Sequence, residues 1–228
     1  MRKIYLVLTL PVITLNIMGQ ELLNNLSFNI FFQPNLVYRF DKEFLPNNDK
    51  PKYGYQAGVG MTYGLNKKIG FSSGISFYKK GYNHNQKFNQ TNPPDPLVPE
   101  ELDISNNYYF LGVPITLNYK MFDFDKFIIY LNTGVCGNIF LYSKEIYEKT
   151  MEDNIDKWTE TFHGNSLTRY LNLSGLICFD FDYSFSDKVS LMIKPNYEVM
   201  ILPFLKNTDL LLTRFWDLGI RFGLNYKL

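Results

Sequence analysis

The sequence predicts an all-β fold, a transmembrane antiparallel up-and-down β-barrel of eight strands around a small, polar lumen. Three observations predict it. Residues alternate with period two in one stretch after another; the connections between stretches are alternately tight and long; and the alternation sets bulky apolar residues against glycine and serine rather than against charges.

Composition agrees with a single β domain. The chain has 228 residues, 46% hydrophobic and 17% aromatic, with 15 Gly and 11 Pro. Its 23 basic and 22 acidic residues leave a net charge of +1, so no overall field draws it to nucleic acid, and that class of partner is excluded. Two cysteines, Cys136 and Cys178, are too few for a disulfide scaffold.

The opening "MRKIYLVLTLPVITLNIMGQ" has Arg2 and Lys3, then an apolar stretch to Ile17 and a small residue, Gly19. Residues 1–19 are therefore expected to be a signal peptide cleaved after Gly19, with residues 20–228 forming the barrel domain. No other run reaches the roughly 20 apolar residues of a membrane helix, so further membrane contact must be made by strands.

The strands follow in order, at about 24–40, 53–65, 68–81, 106–120, 126–143, 167–184, 187–203 and 213–228. Tight connections follow the second, fourth and sixth: "NKK" at Asn66, "FDFD" from Phe122 and "FSD" at Phe185. The others are long and polar, among them "NQTNPPDPLVPE" and "SKEIYEKTMEDNIDKWTETFHGNS". Short turns at one end, long loops at the other and an even strand count are the layout of an outer-membrane barrel.

Face chemistry decides which side meets lipid. In the second strand Tyr53, Tyr55, Ala57, Val59, Met61 and Tyr63 alternate with Gly54, Gln56, Gly58, Gly60, Thr62 and Gly64. The third strand sets Ile69, Phe71, Ile75 and Phe77 against Gly70, Ser72, Gly74 and Ser76. Such small uncharged residues suit a cramped lumen, and the bulky face is stable outward only in lipid. Aromatic girdles are expected near the tight turns at Tyr63, Tyr119, Phe127, Tyr183 and Tyr226, each on its strand's apolar parity.

With these residues in view the chain resembles the PorT-like outer-membrane β-barrel family. The resemblance rests on the "GQ" after the apolar leader, "YGYQAGVGMTYGL" with "IGFSSGISFYKKGY", "YYFLGVPITLNYK" with Pro114 inside a strand, and the closing "WDLGIRFGLNYKL". It covers nearly all of the mature chain. It implies an eight-stranded barrel in a Gram-negative outer membrane, and the member that names the family is associated with a secretion apparatus for surface proteins. One departure lies at the C-terminus, where Leu228 stands in place of the usual aromatic residue while Phe222, Leu224 and Tyr226 keep the alternate positions. Insertion by the barrel-insertion machinery is expected, with lower efficiency.

The same parity places Asp180, Asp182, Lys194, Glu198, Asp217, Arg221 and Asn225 in the lumen, with Lys194 and Glu198 roughly opposite Arg221 and Asp217. These charges read as a mutually neutralising plug in preference to a proton-conducting path. Cys136 and Cys178 fall in the lumen on neighbouring strands, too far apart in height to pair.

His84 and His163 fall in expected long loops, and His163 has Glu160 and Ser166 nearby, the ingredients of a rim-active lipid-modifying enzyme. No spacing is diagnostic, and solvated loop histidines are the plainer reading. No metal or cofactor motif is present. In the loop after Tyr142, the residues Tyr147, Met151, Ile155, Trp158 and Phe162 recur at steps of three and four, one apolar stripe if the segment is helical. Such a stripe is a docking face for an envelope partner; the alternatives are a loop folded over the mouth or strands extending beyond the membrane. The functional expectation is a non-enzymatic, lipid-embedded scaffold that presents loops or docks to another envelope component. The lipid-modifying enzyme and a small-solute channel are the alternatives.

Overall fold

The computed structural model describes residues 25–40, 49–88, 99–151, 154–164, 168–203 and 214–228. The expected signal peptide and Pro93, Pro94 and Pro96 lie outside the described residues.

Among the described residues nine strands form: β1 (Leu26–Phe40), β2 (Asp49–Gly64), β3 (Ile69–Lys87), β4 (Glu101–Phe124), β5 (Phe127–Thr150), β6 (Ile155–Phe162), β7 (Leu171–Ser184), β8 (Val189–Met200) and β9 (Arg214–Lys227). All pairings are antiparallel and the order is β4-β3-β2-β1-β9-β8-β7-β5-β6, with β4 also pairing β5. Eight strands therefore close a ring, and β6 stands outside it. Closure satisfies every strand edge within the ring, which a lipid environment demands.

Three tight connections sit at one end. Asn66 holds the first, its side-chain oxygen accepting the backbone N–H groups of Lys68 and Ile69 at 2.8 Å each. Ser186 plays the same part in the third, accepting the Val189 N–H at 3.1 Å. These are side-chain mimics of a backbone turn. The second turn is tighter than expected: β4 continues through Phe124, leaving Asp125 and Lys126 between the strands.

Outward residues are apolar and exposed around the whole ring, including Ile30, Val59, Phe71, Ile75, Ile115, Ile177, Leu218 and Leu224. Aromatic girdles bound this band. Tyr119, Tyr183 and Tyr226 mark the tight-turn side, and Tyr109 stacked on Tyr142 (4.4 Å) with Tyr38 on Trp216 (4.1 Å) mark the other. On β4, the ten residue steps from Tyr109 to Tyr119 span about 33 Å along the strand. Tilted by about 40°, that is roughly 25 Å along a bilayer normal, the height of an outer-membrane apolar band.

Three prolines interrupt the ladder. The pairing of β1 with β9 skips around Pro34, that of β3 with β4 around Pro114, and that of β7 with β8 around Pro195. Each lacks the N–H that a ladder bond requires, and the strand is held through those positions by its other neighbour. Glycine has a steric role at Gly134, where a Cβ would lie 2.1 Å from the Ile115 carbonyl oxygen.

The segment expected as a long acidic loop after Tyr142 is instead strand. β5 runs on to Thr150, turns, and returns as β6, paired from Ser143↔Phe162 to Thr150↔Ile155. Likewise β3 runs through Lys87 and β4 starts at Glu101, so the described residues between the expected third and fourth strands are mostly paired sheet rather than loop. This extension projects eight residues past Tyr109 and Tyr142, about 27 Å.

Ile75, 55% exposed midway along β3, tests the face assignment. Ile75→Arg is expected to lower the unfolding free energy in lipid vesicles by about 2–4 kcal/mol. A urea titration that shows no change would put that face in water instead.

Candidate functional site

The lumen is where chemistry-bearing side chains converge, and they stack in layers. Inward parity on each strand, read from the tight-turn end, begins with short polar groups: Asn29, Thr62, Ser72, Thr116, Asn118, Asn132 and Ser190. Thr62 and Ser72 are joined at 2.7 Å, and the Asn118 amide donates to Ser72.

Arg221 occupies the next layer. Its Nε donates to the Gln33 carbonyl oxygen at 2.9 Å, its Nη2 reaches Gln56 at 3.4 Å, and its guanidinium lies 3.9 Å above the Phe31 ring. Gln33 also accepts from Asn196 at 3.0 Å and donates to Asn35 at 2.7 Å, while Gln56 donates to Ser76 at 2.8 Å. Five neighbouring strands, β3, β2, β1, β9 and β8, are thereby tied together. Lys194 binds Asp180 at 2.7 Å, and Asp182 accepts from the Asn225 amide at 2.7 Å.

Above this lies the most deeply buried ionic cluster. Lys80, 1% exposed, sends its ammonium across from β3 to Glu198 and Asp217, each at 2.7 Å. It also stands 5.0 Å from the Tyr78 ring centre. The strand register is as expected, Lys194 opposite Arg221 and Glu198 opposite Asp217, but the ion pairs are not those cross-strand neighbours. Two carboxylates sit side by side, and the cation that neutralises them comes from the far wall. Lys80 was legible in principle: it shares parity with Gly70, Ser72, Gly74 and Ser76, while its neighbour Lys79 faces outward. It is the last inward position of the expected strand, one residue from its end at 81.

An apolar layer closes the lumen over this cluster. Val37, Tyr78, Tyr108, Phe110, Phe140, Met200 and Phe215 are all buried and mutually packed. Tyr78 stacks on Phe110 at 5.3 Å, and Phe110 meets Phe140 edge-on at 5.7 Å. Rings at these spacings pack against one another as in a protein interior. At the mouth, Asp49 receives Arg39 at 3.1 Å and the His84 ring nitrogen at 2.7 Å, with Arg39 4.3 Å over Tyr82.

His84 therefore lies in β3, bound to a carboxylate, and not in a loop. His163 follows β6, its backbone carbonyl accepting the Tyr170 hydroxyl at 3.0 Å and its ring 6.2 Å from Tyr142. Ser166, the nucleophile of the enzyme reading, lies outside the described residues. Glu160 accepts the Trp158 indole N–H at 3.2 Å. Cys136 and Cys178 are free and buried; they oppose Ser174 and Asn132 respectively, four positions apart in register.

The apolar stripe read as helical is corrected by the hairpin. Alternation along strands splits it: Tyr147, Trp158 and Phe162 share one face, while Ile155 turns to the other and Met151 sits in the turn. Tyr147 and Trp158 are cross-strand partners, rings 5.0 Å apart and inclined by 6°. The Tyr147 hydroxyl donates to Glu145 at 2.5 Å, and this bond to a carboxylate raises the phenol's pKa above its ordinary value. Spacing of three and four arose here because two antiparallel strands were read as one helix.

Residues 15–227 match the outer membrane protein beta-barrel domain family. The chain belongs to that family. It is an outer-membrane protein, and its band of exposed apolar residues is its lipid face. Among solved structures, the outer membrane protein OprG from Pseudomonas aeruginosa is 12% identical, with a TM-score of 0.46, covering 90% of this chain and 97% of that one. Neisserial surface protein A is 10% identical with a TM-score of 0.45, covering 89% and 99%. The outer membrane protease OmpT from Escherichia coli is 6% identical with a TM-score of 0.45, covering 90% and 97%. No curated protein matches the chain by sequence.

Removing the ammonium from the central cluster leaves two buried carboxylates unpaired. Lys80→Met is expected to destabilise the folded barrel by about 3–5 kcal/mol, read by urea unfolding in vesicles. Glu198→Ala leaves the Lys80–Asp217 pair in place but opens space in the plug, so planar-bilayer recordings should show raised single-channel conductance. An unchanged trace would count against the plug.

Proposed function

We propose that this barrel is a non-enzymatic scaffold: a membrane anchor with a shut lumen whose ordered outer sheet docks another cell-envelope component. The observation that supports the reading is the contrast between the two halves of the molecule. Inside the membrane, rings and ion pairs fill the lumen. Beyond the outer girdle, the ends of β3, β4, β5 and β6 continue as one sheet for about 27 Å, too much ordered backbone for a simple connection.

That sheet has the marks of a recognition surface. Every residue of β6 is exposed, and among the described residues its outer edge is unpaired. Trp158 and Phe162 project from it, while Asp156, Lys157 and Glu160 discourage indiscriminate strand pairing along the edge. The resemblance to PorT-like barrels supports a secretion-related partner. For the lipid-modifying enzyme, the residues remaining are His84 on Asp49 and His163 by Tyr142.

Two experiments test the proposal. Thr159→Cys should be labelled by a membrane-impermeant maleimide on intact cells, and Asp187→Cys, in a tight turn, only after lysis; the buried native cysteines give little background. The reverse pattern would put the sheet in the periplasm. Deleting Glu148 to Thr161 should preserve insertion while reproducing the phenotype of a strain lacking the protein. Full function in that variant would sink the docking idea, and loss of a lipid-modifying activity in His163→Ala would favour the enzyme.

A further inference from the structure

On the lipid side of β1 to β5, neighbouring rings form a continuous row at the long-loop boundary of the apolar band. Phe32 meets Tyr55 at 6.4 Å, Tyr55 meets Phe77 at 6.4 Å, Phe77 meets Tyr109 at 5.9 Å and Tyr109 meets Tyr142 at 4.4 Å. Lysines flank this row. The Lys79 ammonium stands 5.9 Å from the Tyr55 ring centre and that of Lys144 stands 6.0 Å from the Tyr142 ring centre. Lys52 reaches from β2 across β3 to β4, where its ammonium donates to the Ser105 hydroxyl at 2.5 Å and to the Asn106 carbonyl at 3.2 Å. Ser105 has the outward parity of Tyr109 and lies four residues beyond it, about 13 Å along the strand and roughly 10 Å along the bilayer normal. That height is the headgroup layer, outside the hydrocarbon.

The lysines of this face outnumber its acids. Among the described residues Lys50, Lys52, Lys79 and Lys144 form no ion pair. The carboxylates on the same face of the sheet lie further out, where Glu101 faces Lys87 at 3.9 Å, Glu148 takes Lys157 at 3.0 Å and Asp103 takes the neutral Asn85 amide at 2.6 Å. Four lysines therefore stand against the one charge of Asp103. Burial first, and then the positive charge of Lys79, lowers the pKa of the Lys52 ammonium to about 8. Its two hydrogen-bond partners use two of three N–H donors and leave one. All four side chains keep accessible surface, Lys50 and Lys144 being exposed and Lys52 and Lys79 half-buried.

We propose that this patch binds the phosphomonoester of an outer-leaflet lipid, the phosphate held between Lys52 and Lys79 and the acyl chains lying down the apolar wall below the rings. A phosphomonoester brings a charge of about −1.5 to −2 and three acceptor oxygens, which matches two ammonium groups close enough for one to depress the other. Lys144 opposes Asn107, diagonal to Ser105, and is within a long side chain's reach of the same headgroup. A soluble phosphate would gain the lysines alone, whereas a lipid also gains the row of rings and the wall beneath it. An acidic protein segment fits less well, because the patch lies at headgroup height, below most of the projecting sheet. The site depends on the lipid-facing assignment of this wall and not on docking by β6.

The test uses the whole barrel grown with ¹³C-lysine and titrated with base in maltoside micelles, reading the Lys52 ε-carbon with and without diphosphoryl lipid A. Bound phosphate favours the charged ammonium, so the midpoint is expected to climb from about 8 toward the ordinary lysine value. The effect should saturate, with affinity weakened at least tenfold by Lys79→Met. Dephosphorylated lipid A and inorganic phosphate, each at the same concentration, should leave the midpoint in place. An unmoved midpoint, an equal response to either control, or undiminished affinity in Lys79→Met overturns the proposal. Should that variant not fold, the wild-type comparison of the two lipids decides. Failure here leaves the maleimide and hairpin-deletion tests of the docking sheet untouched.

Discussion

Everything in this molecule depends on one constraint: inside a bilayer there is no water to take the hydrogen bonds that a strand edge offers. A sheet in that setting must close on itself, and the pairing of β4 with β5 alongside the run from β4 back to β5 through β9 is that closure. Once the ring is closed, the two faces of every strand meet different solvents. Bulky apolar residues turn to lipid, and what remains must fill a lumen eight strands wide.

Filling that lumen explains the layered interior. Polar side chains there must find partners among themselves, so Gln33 collects Arg221, Asn196 and Asn35, and Lys80 reaches across to two carboxylates at once. Such clusters add little net stability over a well-packed apolar interior, but losing one member is costly. The aromatic layer above them is apolar packing of the ordinary kind, and it separates the polar interior from the Arg39–Asp49–His84 mouth. Beyond the girdle the lipid constraint lapses. There the sheet no longer closes: among the described residues β6 pairs only with β5, and it is exposed throughout.

How much of this was legible in the sequence follows from the same physics. Where lipid and lumen impose opposite demands on alternate residues, as in β2 and β3, period two is plain, and strand order, face and the register of β8 against β9 could all be read. Outside the membrane both faces of β6 meet water, so alternation fades; "IDKWTETF" carries no face signal, its spacing fits a helical stripe as well as a strand, and the hairpin matches the alternative that the strands extend beyond the membrane. Contacts across the lumen were out of reach for a different reason. Parity says that Lys80 points inward, but only the closed ring sets β3 opposite β8 and β9.

Lipid-dependent closure is the claim on which the other conclusions rest, and gel mobility of the detergent-extracted protein, boiled against unboiled, tests it most directly. The unboiled chain is expected to remain a compact barrel and run ahead of the boiled one. Equal mobility, with the protein recovered soluble from the periplasm, would contradict the account and turn its apolar face inward.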